Sequence, residues 1–288
     1  MNKFLKAEGV LVVISPGNGP DGGTIMGSAA GSATTKDEDM PPPSVIVTNE
    51  HYNRIARLLE KQIPVTLEFD LGAKFSDAGD SFNITAEIPG TDPNAGFVML
   101  GGHFDSWTGG TGATDNGAGS AVAMEAMRIL KALDVRMPRT VRLGLWTAEE
   151  QGLLGSRAYV QKHRDEMPRI SAAIVHDTGT GKVTGIDARH RPILQPLLAK
   201  ELVSLKDLGV ATFDSAFIGG SDHASFDRAG PPGLMFRQEV AGYRLNHHSQ
   251  ADTLDRAQEP DLIQGAQVMA VAAMRIANLD ELLTREKK

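Results

Sequence analysis

The stretch Val98-Met-Leu-Gly-Gly-His103-Phe-Asp105-Ser-Trp107 decides the fold of this chain. An apolar run that stops at a histidine reads as a buried strand delivering a polar side chain at its exit. Side chains alternate between the faces of a strand, so a strand continued past His103 would point His103 and Asp105 the same way. Asp105 could then accept the imidazole N–H and fix the tautomer of a ligating His103. The next segment, Thr108-Gly-Gly-Thr-Gly-Ala-Thr-Asp115-Asn-Gly-Ala-Gly119, is too rich in glycine for a regular element. Its glycines permit tight turns that bring Asp115 back beside His103, as a carboxylate two metals could share.

The same layout recurs downstream. Thr140-Val-Arg-Leu-Gly-Leu-Trp146-Thr-Ala-Glu149-Glu150-Gln-Gly152 is a β-type run closed by paired carboxylates, then a helix-like stretch to His163. A di-metal hydrolase needs one acid to hold a metal and another to shuttle a proton, and adjacent residues at a strand end could supply both. The apolar run Ile170 to Val175 ends at His176-Asp177-Thr-Gly, and Tyr243-Arg-Leu-Asn-His247-His248-Ser-Gln-Ala-Asp252-Thr253 offers a late imidazole. His103, Asp115, Glu149, Glu150, Asp177 and His248 thus each follow an apolar run or the turn after it. Strand exits are where open α/β sheets gather their active sites. Carboxylates mixed with imidazoles suit zinc, and their number suits two ions. Singly each has a plainer account, since acids favour helix starts and a histidine can cap a strand. Their joint occurrence, in an acidic chain with no cysteine for a thiolate zinc site, points to a metal centre.

The strings Gly-Gly-His103-Phe-Asp105-Ser, Asp115-Asn-Gly-Ala-Gly, Trp146-Thr-Ala-Glu149-Glu150-Gln-Gly and His248-Ser-Gln-Ala-Asp-Thr resemble metallopeptidase family 28, the co-catalytic zinc exopeptidases. Within it the chain is most similar to the carboxypeptidase Q, or plasma glutamate carboxypeptidase, group. The likeness covers residues 81 to 288 with specific motifs and 1 to 80 more loosely. It implies two zinc ions per chain, one held by His103, Asp115 and Asp177 and the other by Asp115, Glu150 and His248, with Asp115 bridging. It implies Glu149 as general base, Asp105 as the orienter behind His103, and His247 as a neighbour that steadies the oxyanion, where many members carry tyrosine. Asp252 and Thr253 read as holding the His248 loop. Two zinc ions ~3.5–4 Å apart can share a water and lower its pKa toward about 7, while an unligated Glu149 takes the proton and returns it to the leaving amine. The implied substrates are dipeptides or short peptides, the implied assembly a homodimer, and the implied compartment secreted or periplasmic.

Composition agrees with this picture. With 41% hydrophobic and 23% charged residues over 288 positions, the chain is an ordinary globular protein of one large or two modest domains. Scattered basic residues, 29 against 36 acidic, give a formal charge of −7 and argue against a nucleic-acid partner. No membrane span is present, and the lack of cysteine leaves the compartment open. Lysines before Val10 to Ile14 imitate a signal peptide, but Glu8 interrupts, the run is short and no small-residue cleavage site follows. The N-terminal segment reads as a strand.

Ser44 to Val47 reads as a second strand, Asn49 to Lys61 as an amphipathic helix and Pro64 to Leu71 as a third strand, after a Gly/Ser-rich stretch from Gly17 to Ser32, a charged patch Lys36 to Asp39 and three prolines. Residues 1–80 therefore form a small α/β unit, which the resemblance makes the later part of a protease-associated domain with its upstream portion truncated. Gly17-Asn-Gly19-Pro-Asp-Gly22 matches a dinucleotide-loop spelling, but Pro20 sits inside it and no helical period follows. Residues 81–288 are the catalytic domain: a strand at Asn83 to Ile88, helices at Gly117 to Leu133, Leu194 to Leu208 and Pro260 to Leu283, and the strands above. Alternating strands and helices predict a three-layer α/β/α sandwich, and connections as short as Asn83 to His103 predict hairpins and hence a mixed sheet. Phe217-Ile-Gly-Gly-Ser221-Asp222-His223-Ala-Ser-Phe226 reads either as a hydrogen-bonded loop or as pocket lining. Met124, Met127, Met235, Met269 and Met274 read as core filler.

Two other functions fit the same residues. A glutaminyl-cyclase-like acyl transferase would use one zinc and leave His103 idle. A receptor-like scaffold would have no reason to fill every ligand and base position.

Overall fold

The computed structural model describes residues 1–17, 19, 23–28, 40–72, 79–216, 220–240 and 242–287. Most of the Gly-x-Gly-x-x-Gly spelling, much of the Gly/Ser-rich stretch, the Lys36 to Asp39 patch and Phe217 to Gly219 lie outside them. The chain divides into two compact units, Met1–Ser81 and Phe82–Lys288.

In the first unit, α1 (Asn2–Ala7) precedes β1 (Val13–Pro16), which pairs in parallel with β2 (Ser44–Val47); α2 (Asn49–Glu60) follows. The N-terminal strand expected from the sequence is thus a helix first and a strand only from Val13. Asn2–Ala7 contains no β-branched residue, and its Leu, Lys and Ala favour helix. Pro64 to Leu71 is not a ladder strand either: no hydrogen-bonded neighbour lies beside it among the described residues, and Leu67, Phe69 and Leu71 are exposed. Propensity alone does not make a strand when its backbone groups have no partner.

The second unit holds a seven-stranded sheet in the order β3 (Ile84–Ile88), β5 (Thr140–Trp146), β4 (Phe97–His103), β6 (Ile170–Val175), β9 (Gly233–Gln238), β7 (Val183–Asp187), β8 (Thr212–Asp214). The sheet is mixed: β4, β5, β6 and β9 run parallel, β3 is antiparallel to β5, and β7 to β9. The expected hairpin between β3 and β4 is absent, because β5 inserts between them.

Alternation along the central strands builds the three layers. Val98 and Leu100 of β4, Val141, Leu143 and Leu145 of β5, and Ala172 and Ile174 of β6 join a core with α3 (Ala118–Ala132) and α8 (Glu259–Ala277). Met99, Trp146 and Ala173 face the other way, joined by Ile170 because the β4–β6 register shifts after it, against Tyr159 of α4 (Leu154–Lys162) and Phe226 of α6 (His223–Ala229). Fully burying such a side chain contributes roughly 1.5–3 kcal/mol.

Several boundaries differ from the sequence reading. The Leu194 to Leu208 helix is α5 (Leu194–Glu201) followed by a tighter 3-10 stretch, Val203–Leu208, which keeps Leu198, Leu202 and Leu205 buried. The last helix stops at Ala277, where Asn278 turns its amide onto the Met274 carbonyl (2.8 Å). Of the five methionines, Met124 is half exposed rather than core, while Met269 is fully buried. Among the described residues no helix is long and apolar enough to cross a membrane.

Candidate metal centre

His103 is the last residue of β4, and the start of α3 is clamped against that strand end. The Ser120 hydroxyl donates to the His103 carbonyl (2.7 Å). A Cβ on Gly102 would sit 2.9 Å from both the Gly119 carbonyl carbon and the Ser120 nitrogen, so only glycine permits this approach. The glycine-rich segment read as irregular ends in a wide helical turn, Ala113–Gly117, within which Asp115 and Asn116 leave helical geometry. Asp252 holds that turn: its carboxylate accepts the Thr114 N–H (2.7 Å), the Thr114 hydroxyl (2.8 Å) and the Asp115 N–H (3.1 Å). Asp252 therefore fastens the Asp115 loop to the His248 loop that the sequence expected it to hold, its own N–H meeting the Ser249 carbonyl (3.1 Å).

Asp105 also acts differently from the expectation. Because β4 ends at His103, Asp105 lies beyond the strand, and the tight contact to His103 Nδ1 comes from its backbone carbonyl (2.9 Å); the carboxylate is 3.5 Å away. That carboxylate instead accepts the N–H groups of Glu149 (3.0 Å) and Glu150 (3.2 Å), fixing the turn after β5. Ala148, at φ 51, supplies the left-handed step that aims both acids inward.

The predicted ligands meet at the carboxyl ends of β4, β5 and β6. His103 Nε2 is 3.3 Å from Asp115 Oδ1 and 3.5 Å from Asp177 Oδ1. His248 Nε2 is 3.3 Å from Asp115 Oδ2 and 3.1 Å from Glu150 Oε2. Asp115 thus offers one oxygen to each histidine. Glu149 Oε2 is 4.0 Å from His103 Nε2, at the margin of the cluster. His247 stacks on His248 at 3.6 Å and approaches Asp115 Oδ2 (3.4 Å), so it stands on the shared carboxylate as well. Ligand-type atoms of His103, Asp115 and Glu150, of His103, Glu149 and Asp177, and of Asp115, His247 and His248 gather closely enough to hold a metal ion.

The electrostatics match a site made for cations. Among the described residues, Asp115 Oδ2 and Glu150 Oε1 are buried without a well-formed hydrogen bond. Burial and then the Asp177 charge push Glu149 up to about 9, and burial and the Asp115 charge raise Glu150. Burial opposes protonation of His103 and His248, yet Asp177 lifts His103 well above the usual range, and Asp115 and Glu150 bring His248 to about 10. Carboxylates that shed their charge and imidazoles that gain it both answer a shortage of positive charge, which bound divalent ions would meet.

Three positions, Trp107, Asn116 and Tyr243, have no role assigned from the sequence, and Asp222 has one only as part of the Phe217 to Phe226 cluster. Trp107 donates its indole N–H to Glu150 Oε2 (2.7 Å) and lies 5.3 Å from the His248 ring. Asn116 donates to Asp177 Oδ1 and to the His176 carbonyl (3.0 Å). Both lay inside the quoted motifs, but a strand-exit pattern singles out ligands and not the groups that steady them. Tyr243, on α7 (Tyr243–Asn246), meets the His247 ring at 4.7 Å, and burial with the nearby Asp115 charge keeps its phenol protonated. Asp222 is fully buried with neither oxygen in a good hydrogen bond, and burial raises it to about 7. A cavity of about 560 Å³ opens over the cluster, lined by Asp115, Glu149, Asp177, Ser221, Tyr243 and His248 among others. Ser221 therefore reaches the pocket, whereas His223 begins α6 and is buried.

Comparison with known proteins gives the lineage. The model of peptidase family M28 matches residues 83–273. Carboxypeptidase Q of Mus musculus is 33% identical over 243 residues, covering 84% of this chain and 52% of that protein, so the chain spans about half the length of the curated relatives it matches. The crystal structure of a peptidase M28 precursor from Shewanella amazonensis SB2B superposes with a TM-score of 0.82 at 28% identity, over 96% of this chain and 62% of that one. An aminopeptidase from Aneurinibacillus sp. strain AM-1 shares the fold (TM-score 0.68, 21% identity, 98% of this chain and 67% of that one). Over its matched two-thirds, from β3 to α8, the chain belongs to peptidase family M28.

Proposed function

We propose that this chain is a zinc-dependent exopeptidase acting on dipeptides or short peptides, with two zinc ions per chain. His103, Asp115 and Asp177 would hold one ion, and Asp115, Glu150 and His248 the other. The observation that carries this reading is the two-sided Asp115 carboxylate, Oδ1 toward His103 and Oδ2 toward His248. When bound, zinc supplies Lewis acidity that polarises a carbonyl and acidifies water, and its charge would favour the Glu149 carboxylate, which burial and then the Asp177 charge disfavour.

The chain's own residues divide the remaining work. Glu149 Oε2, at the edge of the ligand set, accepts a proton from the attacking water and returns it to the leaving amine. Asp105 fixes the backbone under Glu149 and Glu150, and its carbonyl sets the His103 tautomer. Trp107 orients Glu150, and Asn116 orients Asp177. His247, half-exposed on the pocket wall, is placed to steady the developing oxyanion. A single-zinc acyl transferase would leave His103 idle, yet His103 is buried among Asp115, Glu149 and Asp177. The first unit we read as a protease-associated-like segment, since a parallel β1–β2 pair followed by α2 is the small α/β unit that this reading expects.

Replacing Glu149 by Gln should lower turnover of free dipeptides by about 10²–10⁴-fold while zinc per chain, read by mass spectrometry, stays at two. Zinc lost with activity kept would reverse the assignment, and one zinc in the parent protein would favour the cyclase-like alternative.

A further inference from the structure

Beyond the catalytic pocket, the second unit carries a larger cavity of about 870 Å³ between α4, α6 and the chain's last residues. Arg157, Arg164, Arg228 and Arg285 line it, and no acidic residue does among the described residues. This is unexpected in a chain whose acids outnumber its bases 36 to 29. The Arg157, Arg164 and Arg228 side chains form no ion pair or hydrogen bond among the described residues. The nearby acid Glu166 is already engaged by Arg142 and His163. Arg285 is satisfied by neutral groups, the carbonyls of Met167 (3.2 Å), Pro168 (2.9 Å) and Ile170 (3.1 Å). Four guanidiniums share one concave wall without a counter-charge.

Arg157 and Arg228 also line the catalytic pocket, so the two cavities share a border made of those side chains. The acids on the catalytic side of that border belong to the proposed ligand set, where bound ions would offset them, while the arginine-lined far side attracts an anion. Guanidinium groups bind carboxylates with paired, charge-assisted hydrogen bonds, which makes this border a place to read an acid.

We propose that Arg157 and Arg228 form a specificity subsite for a substrate carboxylate, with the arginine-lined cavity beyond them, including Arg164, admitting acidic peptides. This deepens the exopeptidase reading and rests on it for the word substrate. The carboxylate has two sources, the peptide's C-terminus or an acidic side chain, and both are recognised by the same chemistry.

The test compares Ala-Glu, Ala-Gln and C-amidated Ala-Gln in the zinc-loaded protein and in the Arg157→Gln/Arg228→Gln variant. A preference of about tenfold in kcat/KM, carried by KM, is expected for Ala-Glu over Ala-Gln if the side chain is read, or for Ala-Gln over its amide if the C-terminus is read. That ratio should collapse toward one in the double variant, return in part in Arg157→Lys/Arg228→Lys, and shrink with added salt. Arg164→Gln should weaken it less. The same three peptides are titrated calorimetrically into the Glu149→Gln protein, with and without zinc, so that binding is measured without turnover. Discrimination in binding with no hydrolysis of any peptide strikes the exopeptidase reading and leaves the subsite standing. No discrimination in the parent protein, or discrimination that survives loss of both arginines, overturns the subsite.

Discussion

The two ends of the β4–β5–β6 layer are built on opposite rules. At the end where these strands begin, Val98, Val141 and Ile170 are fully buried among apolar neighbours, and the adjacent Arg139 guanidinium is met by the Ile276 and Ala277 carbonyls (3.2 and 3.4 Å). At the end where they finish, Asp115, Glu149, Glu150 and Asp177 crowd around two imidazoles, and among the described residues buried oxygens of Asp115 and Glu150 lack a well-formed hydrogen bond. Burying charge without compensation costs several kcal/mol per group. One end therefore supplies the stability that the other spends, and only cations can bring the second end toward the first.

The largest way to break this contrast is to supply the ions. Zinc at about a thousand times its Kd should stabilise the protein by ~4 kcal/mol, read as a rise in the thermal midpoint that a chelator reverses. Asp115→Asn, which blunts the carboxylate facing both histidines, should remove most of that rise. An unchanged midpoint across the zinc titration would show that the acidic end is content without cations.

At the ligand end the sequence showed the ligands themselves and much less of the groups that hold them. Every ligand candidate could be found because an apolar run followed by His, Glu or Asp is a one-dimensional pattern, and β4, β5 and β6 preserve it. The second set of interactions was hidden. Asp252 meets Thr114 and Asp115 across more than a hundred residues, and Trp107 meets Glu150 across 43. Short strands were missed for another reason. Val183–Asp187 is broken by Gly185, and Thr212–Asp214 has three residues, so neither shows a period. The sheet order was also out of reach, since nothing local tells β3 to pair with β5 and not with β4. In the first unit the apolar residues made strands legible in principle, but among the described residues none of the large ones is fully buried, and Pro64 to Leu71 follows its propensity only as far as an extended coil.

A smaller effect separates the ends by pH. His223, buried in the first turn of α6, is held down to about 4 by burial and then by the Arg189 charge. A depressed histidine binds its proton less readily folded than unfolded, so its contribution is intact above the unfolded value of 6.5 and is lost as pH falls toward 4. His223→Gln has no proton to gain. Its urea stability should fall less than the parent's between about pH 6.5 and about pH 4.5, by up to ~1.4 kcal/mol per pH unit. Parallel pH profiles for the two proteins would mean that His223 is protonated as easily in the fold as outside it.

The smallest effect isolates the stable end. Ile170 opens β6, seven residues before Asp177, and is fully buried against Met99, Trp146 and Phe226. Ile170→Val deletes one methylene and should cost about 0.5–1.5 kcal/mol in denaturant unfolding. The ligands are carried by the opposite end of the same strands, so zinc affinity should stay within about twofold, a change of ~0.4 kcal/mol. If the variant loses zinc affinity in proportion to its stability, the sheet transmits strain along its length and the two ends are one cooperative unit. Stability lost with affinity kept means that the core fixes where the strands end, and the loops beyond fix how tightly the metal is held.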